Sequence, residues 1–350
     1  MNGWAPAAVV REGRPGEGLR VAVAGAAHWH LPRHAAHLRE AGVTFCGVAD
    51  RDAAIAARWA RELDCPALPD AAAIIETARP DLVLALGRVA DMAAQATVLL
   101  EAGLPLLAEK PLGRSAAEVE PLAALAAARR SWVAVALVQR YDPLWSLLDD
   151  LRDTGRLGSV THLHVRIING PPQRYVAWGA GWMLDPSTAG GGALLNLGIH
   201  GIDYVRHLVG PDEPVRVCGA AVSRRTHRLP IEEFGAALLA SGSGMIGTIE
   251  AGYTYPDSAA GMTRSGDNEV RLGAAQAYIV ARGAEVRVTT PAGEEAHPHL
   301  RAGDRYRDWI FDSLARLRTG APPAAGMDDC LAALRLLDRA YDLAGEPRER

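Results

Sequence analysis

The chain has 350 residues and a formal net charge of −4, with 37 basic against 41 acidic residues and 49% hydrophobic residues. This length and composition suit two globular domains with sizeable cores. No basic stripe is present, so a nucleic-acid partner is not expected. No apolar run is long enough for a signal peptide or a membrane span, and we therefore expect a cytoplasmic protein without a membrane partner.

Cysteine usage indicates neither a disulfide framework nor a metal clip. The four cysteines, Cys46, Cys65, Cys218 and Cys330, lie far apart, and no CxxC pair occurs. We expect reduced thiols, as in most cytosolic proteins, and no metal site.

The first part of the chain alternates between short apolar runs and helical stretches. Residues 1–18 are predicted to form a flexible tail, and residues 19–140 an α/β domain. The predicted strands cover residues 19–25, 43–49, 81–86, 104–108 and 132–138, and the predicted helices cover residues 31–41, 53–63, 70–78, 91–102 and 115–130. This alternation predicts a doubly wound parallel sheet, the Rossmann architecture of dinucleotide-binding domains.

A partial nucleotide-binding motif follows the first predicted strand. Gly25 occupies the first position of the Gly-x-Gly-x-x-Gly fingerprint, whereas Ala27 and His30 occupy the other two. Asp50 ends the second predicted strand, where an acidic side chain accepts hydrogen bonds from a ribose and repels a 2′-phosphate. This favours NAD, although Arg51 could hold the phosphate of NADP. Asp50 could alternatively serve only as a helix N-cap.

Lys110 is the only lysine in the sequence, so all the other basic residues are arginines. It follows a predicted strand in the segment Glu109-Lys110-Pro111, and ligands of open α/β sheets bind at the carboxyl ends of strands. Unlike arginine, a lysine can lose its proton when burial lowers its pKa. We therefore interpret Lys110 as a functional amine; the alternative is the chance survival of one lysine.

From residue 141 to residue 350 the pattern changes to consecutive strands. These predict an α+β domain with a large, mostly antiparallel open sheet. The predicted strands cover residues 159–168, 215–222, 234–239, 245–250, 269–272, 277–280 and 285–289, and the predicted helices cover residues 142–152, 304–318 and 327–344. Within residues 189–210 we predict a glycine-rich entry followed by a helix. Residues 178–188 are predicted to be an irregular loop.

Three consecutive glycines, residues 190–192, precede Asn196 and His200. These two polar residues are four positions apart and share one face of the predicted helix. The glycines indicate a backbone that lies close to something flat. A lone histidine is by default a satisfied core residue, but this combination favours a functional role for His200.

Three elements together resemble the glucose–fructose oxidoreductase / inositol dehydrogenase / rhizopine-catabolism (Gfo/Idh/MocA) family. They are Glu109-Lys110-Pro111 after a Rossmann strand, the pattern Gly-Gly-Gly-Ala-x-x-Asn-x-Gly-x-His-x-x-Asp at residues 190–203, and the order of an α/β half before a sheet half. The resemblance extends from about Leu19 to Gly345. It implies NAD(P)-dependent hydride transfer at a ring hydroxyl or carbonyl of a sugar, amino sugar or cyclitol. It also implies a homodimer or homotetramer assembled through the C-terminal sheet.

The resemblance also implies roles for single residues. Lys110 is expected beside the nicotinamide and the reacting oxygen, His200 as the acid/base, and Asn196 beside them as a substrate-orienting residue. The expected cofactor contacts are Gly25, Ala27, His28, Trp29, Asp50, Arg51, Leu86, Gly87, Glu109 and Lys110. Besides the catalytic three, Trp178 or Trp182 is expected to pack on the sugar ring, and Arg140 or Arg174 to meet an acidic substituent.

Two departures from the family pattern affect the chemistry. Asn196 stands where the family usually has Asp, and Leu86-Gly87 stands where it usually has Thr-Pro. Because Asn carries no charge, the pKa values of Lys110 and His200 should be lower than beside an Asp. These departures leave two alternatives open: a lyase or hydrolase that oxidises its substrate transiently with tightly bound NAD, and a redox-inactive nucleotide-binding protein.

Overall fold

The computed structural model describes residues 13–256, 266–299 and 302–346. Six strands form the first sheet: β1 (Arg20–Ala24), β2 (Thr44–Ala49), β3 (Ala67–Leu68), β4 (Leu82–Ala85), β5 (Leu106–Ala108) and β6 (Val133–Val135). Their spatial order is β3-β2-β1-β4-β5-β6, and every pair is parallel. The predicted parallel sheet is confirmed, and the two-residue β3 is the strand that the pattern missed.

The strand order reverses between β1 and β4, which lie side by side although β2 and β3 separate them in sequence. Such a switch point opens a crevice at the carboxyl ends of the two strands. Apart from exposed Arg20, both strands are fully buried, because their valine, leucine and alanine side chains face helices on either side. The crevice is therefore supported by a rigid, apolar base.

Five helices cover this sheet: α1 (Leu31–Glu40), α2 (Ala53–Leu63), α3 (Ala71–Ala73), α4 (Val89–Glu101) and α5 (Ala116–Arg129). The short α3 continues as a π-helical turn, Ile74–Ala78. Helix α2 starts at Asp52, whose carboxylate accepts a hydrogen bond from the Ala54 amide at 2.9 Å. The N-cap is thus Asp52, and the alternative that Asp50 serves as the N-cap is wrong.

The second sheet has eight strands: β7 (Val160–Asn169), β8 (Val215–Ser223), β9 (Phe234–Ser241), β10 (Ile246–Gly252), β11 (Gly266–Ala274), β12 (Tyr278–Arg282), β13 (Glu285–Thr290) and β14 (Gly293–Pro298). Their order is β14-β13-β12-β11-β7-β10-β9-β8, and β7 with β10 is the parallel pair in an otherwise antiparallel sheet. The predicted sheet is confirmed. The edge strand β14 was missed because its polar sequence, Gly-Glu-Glu-Ala-His-Pro, carries no apolar alternation.

The helices of the second half are α6 (Leu144–Asp153), α7 (Gln173–Ala177), α8 (Pro186–Ala189), α9 (Ile199–Val209), α10 (Ala302–Thr319) and α11 (Met327–Leu343). The predicted irregular loop at residues 178–188 is wrong in part, because it contains a 3-10 turn, Gly181–Leu184, and most of α8. The helix predicted after the glycine-rich entry of residues 189–210 is present as α9. A π-helical turn, Leu194–Gly198, precedes α9.

The two closing helices bind the halves of the chain together. Helix α10 packs on α1, where Trp309 and Phe311 complete the core of the first domain. Helix α11 packs on both α5 and α9. Among the described helices, none combines the length and apolarity that crossing a bilayer requires.

Part of the predicted N-terminal tail is described. The Gly16 amide donates to the Ala41 carbonyl at 2.8 Å, and Arg318 donates to the carbonyls of Pro15 and Glu17. Residues 13–18 therefore pack against α1 and α10, and residues 1–12 lie outside the described part of the chain.

Candidate active site

The site lies where the carboxyl end of β5 meets the π-helical turn of the second half. Lys110 is the second residue after β5, and Asn196 lies in the π turn. Both line a cavity of about 1170 Å³ together with His200. The structure therefore brings together the three residues that the sequence proposed as catalytic. π-helical turns occur frequently at functional sites.

The Lys110 ammonium is buried and donates to two acceptors of one residue. Its Nζ lies 2.6 Å from the Asn196 carbonyl oxygen and 2.9 Å from Asn196 Oδ1. Burial lowers the pKa of Lys110 to about 8, against the opposing attraction of the Glu109 carboxylate. An amine with this pKa exchanges its proton readily near neutral pH.

Both N–H donors of the Asn196 side chain are used within the protein. Its Oδ1 accepts from Lys110, and its Nδ2 donates to the hydroxyls of Tyr175 and Tyr253, each at 2.9 Å. A carboxamide has two N–H donors, and both are engaged here. Asn196 therefore orients Lys110 and two tyrosines, and its Oδ1 keeps a second lone pair, so direct contact with a substrate hydroxyl stays a prediction.

His200 follows Asn196 by four residues and is buried, with 6% of its surface exposed. Burial lowers its pKa well below 6.5, and the Lys110 charge lowers it further. Its Nδ1 has no hydrogen-bond partner among the described residues. His200 is thus neutral at physiological pH and lines the cavity with Lys110 and Asn196.

Glu109 is held by two histidines of the first loop and helix. Its Oε1 lies 2.7 Å from His30 Nδ1 and 2.6 Å from His34 Nε2. Burial would raise the pKa of the Glu109 carboxyl, but the histidines hold it well below its usual range. Burial lowers the pKa of His30 to about 4. The bulky His30 in the third fingerprint position therefore binds an anion of the neighbouring loop.

The donor atoms of His28, His30 and Glu109 lie within 4.8 Å of one another, a spacing that a metal ion could bridge. These atoms are already hydrogen-bonded within the protein. His28 Nδ1 accepts from the His30 amide at 3.1 Å, and Glu109 accepts from the His30 ring. We therefore describe this group as a hydrogen-bonded network and assign no metal to it.

In the loop after β1, the backbone at Gly25 lies close to the Leu86 carbonyl, as in the tight glycine turn of a dinucleotide-binding loop. A Cβ atom on Gly25, where φ is +84°, would lie 1.8 Å from the Leu86 carbonyl oxygen. Asp50 is buried at the end of β2, and its Oδ2 accepts from the Ala27 amide at 2.9 Å. A glycine turn, a helix N-terminus and a carboxylate at the second strand are the features that hold a pyrophosphate and a ribose. These residues fit a dinucleotide.

Other expected cofactor residues surround a narrow cleft that leads to Lys110. His28 and Trp29 stack with ring centroids 3.9 Å apart and line this cleft together with Gly87. Leu86 is buried beneath it. Arg51 is exposed and lies 3.5 Å from Asp91, so its guanidinium remains accessible to solvent.

Two of the expected substrate contacts, Arg140 and Trp182, need correction. Arg140 is not a cavity residue, because its guanidinium pairs with Asp203 at 2.6 Å and Asp329 at 2.7 Å. Trp182 donates its indole N–H to the Ala27 carbonyl at 2.9 Å, so it closes over the nucleotide loop, whereas Trp178 lines the cavity.

The triple glycine allows another segment of the protein's own backbone to pack closely against it. A Cβ on Gly192 would lie 1.9 Å from the Glu232 carbonyl oxygen. The buried Glu232 carboxylate accepts from the Gly192 amide at 2.8 Å and from the Leu194 amide at 3.0 Å. The flat neighbour inferred from the sequence is thus the segment around Glu232, which caps the helix that carries Asn196.

Known proteins place this architecture in a family. The family model described as "Oxidoreductase family, NAD-binding Rossmann fold" matches residues 19–137. The family model described as "GFO/IDH/MocA C-terminal domain" matches residues 145–272. The chain belongs to the Gfo/Idh/MocA family. It is therefore an NAD(P)-dependent oxidoreductase by family, in agreement with the sequence prediction.

Individual members of the Gfo/Idh/MocA family align with most of the chain. The dTDP-3,4-didehydro-2,6-dideoxy-alpha-D-glucose 3-reductase of Streptomyces antibioticus is 29% identical over 69% of this chain and 71% of its own. The inositol 2-dehydrogenase of Rhizobium meliloti (strain 1021) is 24% identical over 71% and 73%. The crystal structure of KijD10, a 3-ketoreductase from Actinomadura kijaniata in complex with NADP and TDP-benzene, shares the fold, with a TM-score of 0.77, 21% identity and coverage of 93% and 97%.

Sequence reasoning missed several residues of the site. Tyr175 and Tyr253 lie 78 residues apart and reach Asn196 only through the tertiary fold, so no spacing signal pointed to them. His34 could have been found, because it is four residues after His30 and shares its helix face.

Proposed function

We propose that this chain transfers a hydride between NAD(P) and a ring hydroxyl or carbonyl of a sugar, amino sugar or cyclitol-like substrate, with Lys110 and His200 handling the proton. The observation that carries this proposal is the buried Lys110 amine, with a pKa of about 8, on the cavity wall that it shares with His200. The names of the relatives, a keto-sugar reductase and an inositol dehydrogenase, support the substrate class.

The cofactor is proposed to bind across the switch point of the first sheet. The contacts proposed for it are those of Gly25, Ala27, His28, Trp29, Asp50, Arg51, Leu86, Gly87, Glu109 and Lys110. Asp50 favours NAD, and the accessible Arg51 leaves NADP possible. When bound, the nicotinamide supplies or accepts the hydride.

Lys110 is proposed to hydrogen-bond the reacting oxygen. In the protonated form it donates to the developing alkoxide, and in the neutral form it can take the hydroxyl proton. Asn196 fixes the position of Nζ through two acceptors, which reduces the reorientation that catalysis requires. Because these acceptors are neutral, they do not hold the proton on Lys110 as strongly as a carboxylate would.

His200 is proposed as the second proton-transfer group. Its lowered pKa keeps the imidazole neutral, so one ring nitrogen can accept a proton and the other can donate a hydrogen bond. Trp178, which lines the cavity, is proposed to pack on the apolar face of the sugar ring.

The test is reduced-cofactor absorbance with the purified protein, NAD or NADP, and a panel of sugars, amino sugars and cyclitols. We expect turnover with some member, and a loss of about 10²–10⁴-fold in Lys110→Ala. Lys110→Arg keeps the charge but cannot release the proton, so full activity in this variant would refute the role of Lys110. Turnover without net NADH would support the lyase or hydrolase alternative, and failure to bind either cofactor in calorimetry would support the redox-inactive one.

We also propose that the chain forms homodimers or homotetramers through the open face of the second sheet. The supporting observation is that three large apolar side chains of this sheet, Leu238, Ile246 and Tyr278, are each at least 40% exposed. Light scattering after size-exclusion chromatography tests this, and Ile246→Glu should shift the protein towards monomers.

A further inference from the structure

Arg174 is a buried cation on the wall of the large cavity. Only 7% of its surface is exposed, and its guanidinium lies 5.0 Å from the Trp178 ring and 5.5 Å from the Tyr175 ring. Among the described residues, no carboxylate pairs with it, and its Nε has no hydrogen-bond partner. A buried charge without a counter-ion is costly, so a partner from outside the chain is expected.

The carboxylates of the cavity cannot be that partner, because each one already has an arginine. The pairs are Asp142 with Arg305 at 2.8 Å, Glu250 with Arg166 at 2.7 Å, Asp267 with Arg282 at 2.9 Å, and Glu269 with Arg271 at 2.5 Å. Glu109 nearby is held by its two histidines. Within the described part of the chain, the Arg174 guanidinium thus contacts two aromatic rings and pairs with no carboxylate.

A second arginine that lines the cavity also contacts an aromatic ring and lacks an ion-pair partner among the described residues. Arg33, in the first turn of α1, lies over the Tyr306 ring at 4.5 Å and has no ion-pair partner in the described ranges of the chain. The acceptors of Lys110 are both neutral. Among the residues that the structure describes, Arg174, Arg33 and Lys110 thus line this cavity without a carboxylate partner. The surplus of positive charge lies inside the cavity and would attract an anion.

We propose that the substrate carries an anionic substituent, a carboxylate or a phosphoryl group, and that Arg174 binds it with the assistance of Arg33. This inference rests on the proposed function, since it names the substrate class of the same cavity. The planar guanidinium offers two parallel N–H donors to either anion. A neutral sugar or cyclitol would leave both arginines unpaired and is therefore a poor substrate.

Arg174 and Lys110 lie on either side of Tyr175, so the proposed anion-binding group is distinct from the proposed proton-transfer group. The Tyr175 ring lies beside Arg174, and its hydroxyl is 2.9 Å from Asn196 Nδ2, which belongs to the residue that holds Lys110. One tyrosine side chain thus stands between the anion anchor and the reacting centre. The anionic group would be bound at one end of the substrate while the reacting oxygen meets Lys110.

The experiment compares matched ligands with the NADH-loaded protein. The probes are D-glucuronate with D-glucose, D-galacturonate with D-galactose, and dTDP-glucose as the phosphoryl-bearing arm, and their binding is followed by tryptophan fluorescence. We expect at least one anionic probe to bind about tenfold or more tightly than its neutral counterpart, and Arg174→Gln to weaken it by about 10- to 100-fold. Arg174→Lys should recover part of this loss. The arm that responds identifies the anion as carboxylate or phosphoryl.

The control is Arg58→Gln, because Arg58 lies over the Trp59 ring at 5.1 Å but is exposed and outside the cavity. This variant should bind all probes as the wild type does. Equal affinity for anionic and neutral probes, no binding of any anionic probe, or an equal loss for both kinds in Arg174→Gln would overturn the proposal. NADH affinity is measured in parallel, since its absence in the wild type would refute the proposed function, whereas its loss only in Arg174→Gln would assign Arg174 to the cofactor.

Discussion

The Lys110 ammonium is bound by the carbonyl oxygen and by the side-chain oxygen of Asn196, at 2.6 Å and 2.9 Å. Both acceptors are neutral, so the cation is well solvated by the protein and yet lacks a partner anion in direct contact. Burial then dominates and lowers the pKa of Lys110 to about 8. The replacement of the family's Asp by Asn thus has a direct consequence for the reactivity of the lysine.

The pKa of Lys110 can be read directly, because the chain has one lysine. Protein labelled with ¹⁵N- and ¹³C-lysine should give a single side-chain signal whose titration midpoint lies at about 8, compared with the usual 10.5. A midpoint near 10.5 would contradict the environment described here.

The same ionisation should appear in the kinetics. In the oxidation direction kcat/KM should rise with pH through about 8, because the neutral amine accepts the proton. In the reduction direction it should fall over the same range, because the protonated amine is the donor. His200 has a strongly lowered pKa and stays neutral throughout, so it adds no second transition near 6.5. A profile with its midpoint near 6.5 would contradict the lowered pKa of His200 and make His200, not Lys110, the group that titrates in catalysis.

Asn196→Asp should raise the pKa of Lys110, which the neutral Asn196 side chain leaves low. A carboxylate at the position of Oδ1 would lie about 2.9 Å from Lys110 Nζ and raise the pKa of the lysine by roughly one to three pH units. The oxidation rate at pH 7 should fall accordingly and recover at higher pH. The fold tolerates the change because the hydroxyls of Tyr175 and Tyr253 can rotate to donate to the new oxygen. An unshifted lysine titration in this variant would refute the electrostatic coupling.

Tyr253→Phe tests the hydrogen bond that holds the Asn196 side chain beside Lys110. The Tyr253 side chain is fully buried, and its hydroxyl accepts from Asn196 Nδ2 at 2.9 Å. Removing the hydroxyl leaves a buried donor unsatisfied and should cost about 1–3 kcal/mol in the free energy of unfolding. Tyr278→Phe is the matched control, because Tyr278 is 43% exposed and should change stability little. Urea unfolding curves compare the two variants, and equal midpoints would show that the hydroxyl is dispensable.

The sequence predicted the parts of the molecule that depend on local patterns. Apolar runs located β1, β4 and β5, and polar residues at strand ends located Asp50 and Lys110. The spacing of four residues placed Asn196 and His200 on one wall of the cavity. These features depend on periodicity and on where a strand ends, which a single sequence records.

Contacts between distant segments were beyond that reasoning. The triple glycine indicated a close approach but not that Glu232, about 40 residues away, makes it. Arg140 and Arg174 could not be distinguished from their neighbours in sequence. The fold provides Asp203 and Asp329 for Arg140 and aromatic rings for Arg174. Charge pairing of this kind follows from tertiary structure and leaves no local signature.

Gly25→Ala tests the nucleotide loop. The added Cβ would meet the Leu86 carbonyl oxygen at 1.8 Å, so β1 and β4 would have to separate at the proposed cofactor crevice. Gly103→Ala is the matched control, because its φ of +75° carries a similar backbone strain but its Cβ meets nothing within 4 Å. We expect the control to lose about 1–2 kcal/mol in the free energy of unfolding and Gly25→Ala to lose about 1–3 kcal/mol more, because crowding adds to strain. NADH affinity, measured by calorimetry, should fall in Gly25→Ala and stay unchanged in Gly103→Ala. Equal NADH affinity in both variants would mean that the cofactor does not approach the backbone at Gly25, and the proposed binding crevice would have to be placed elsewhere.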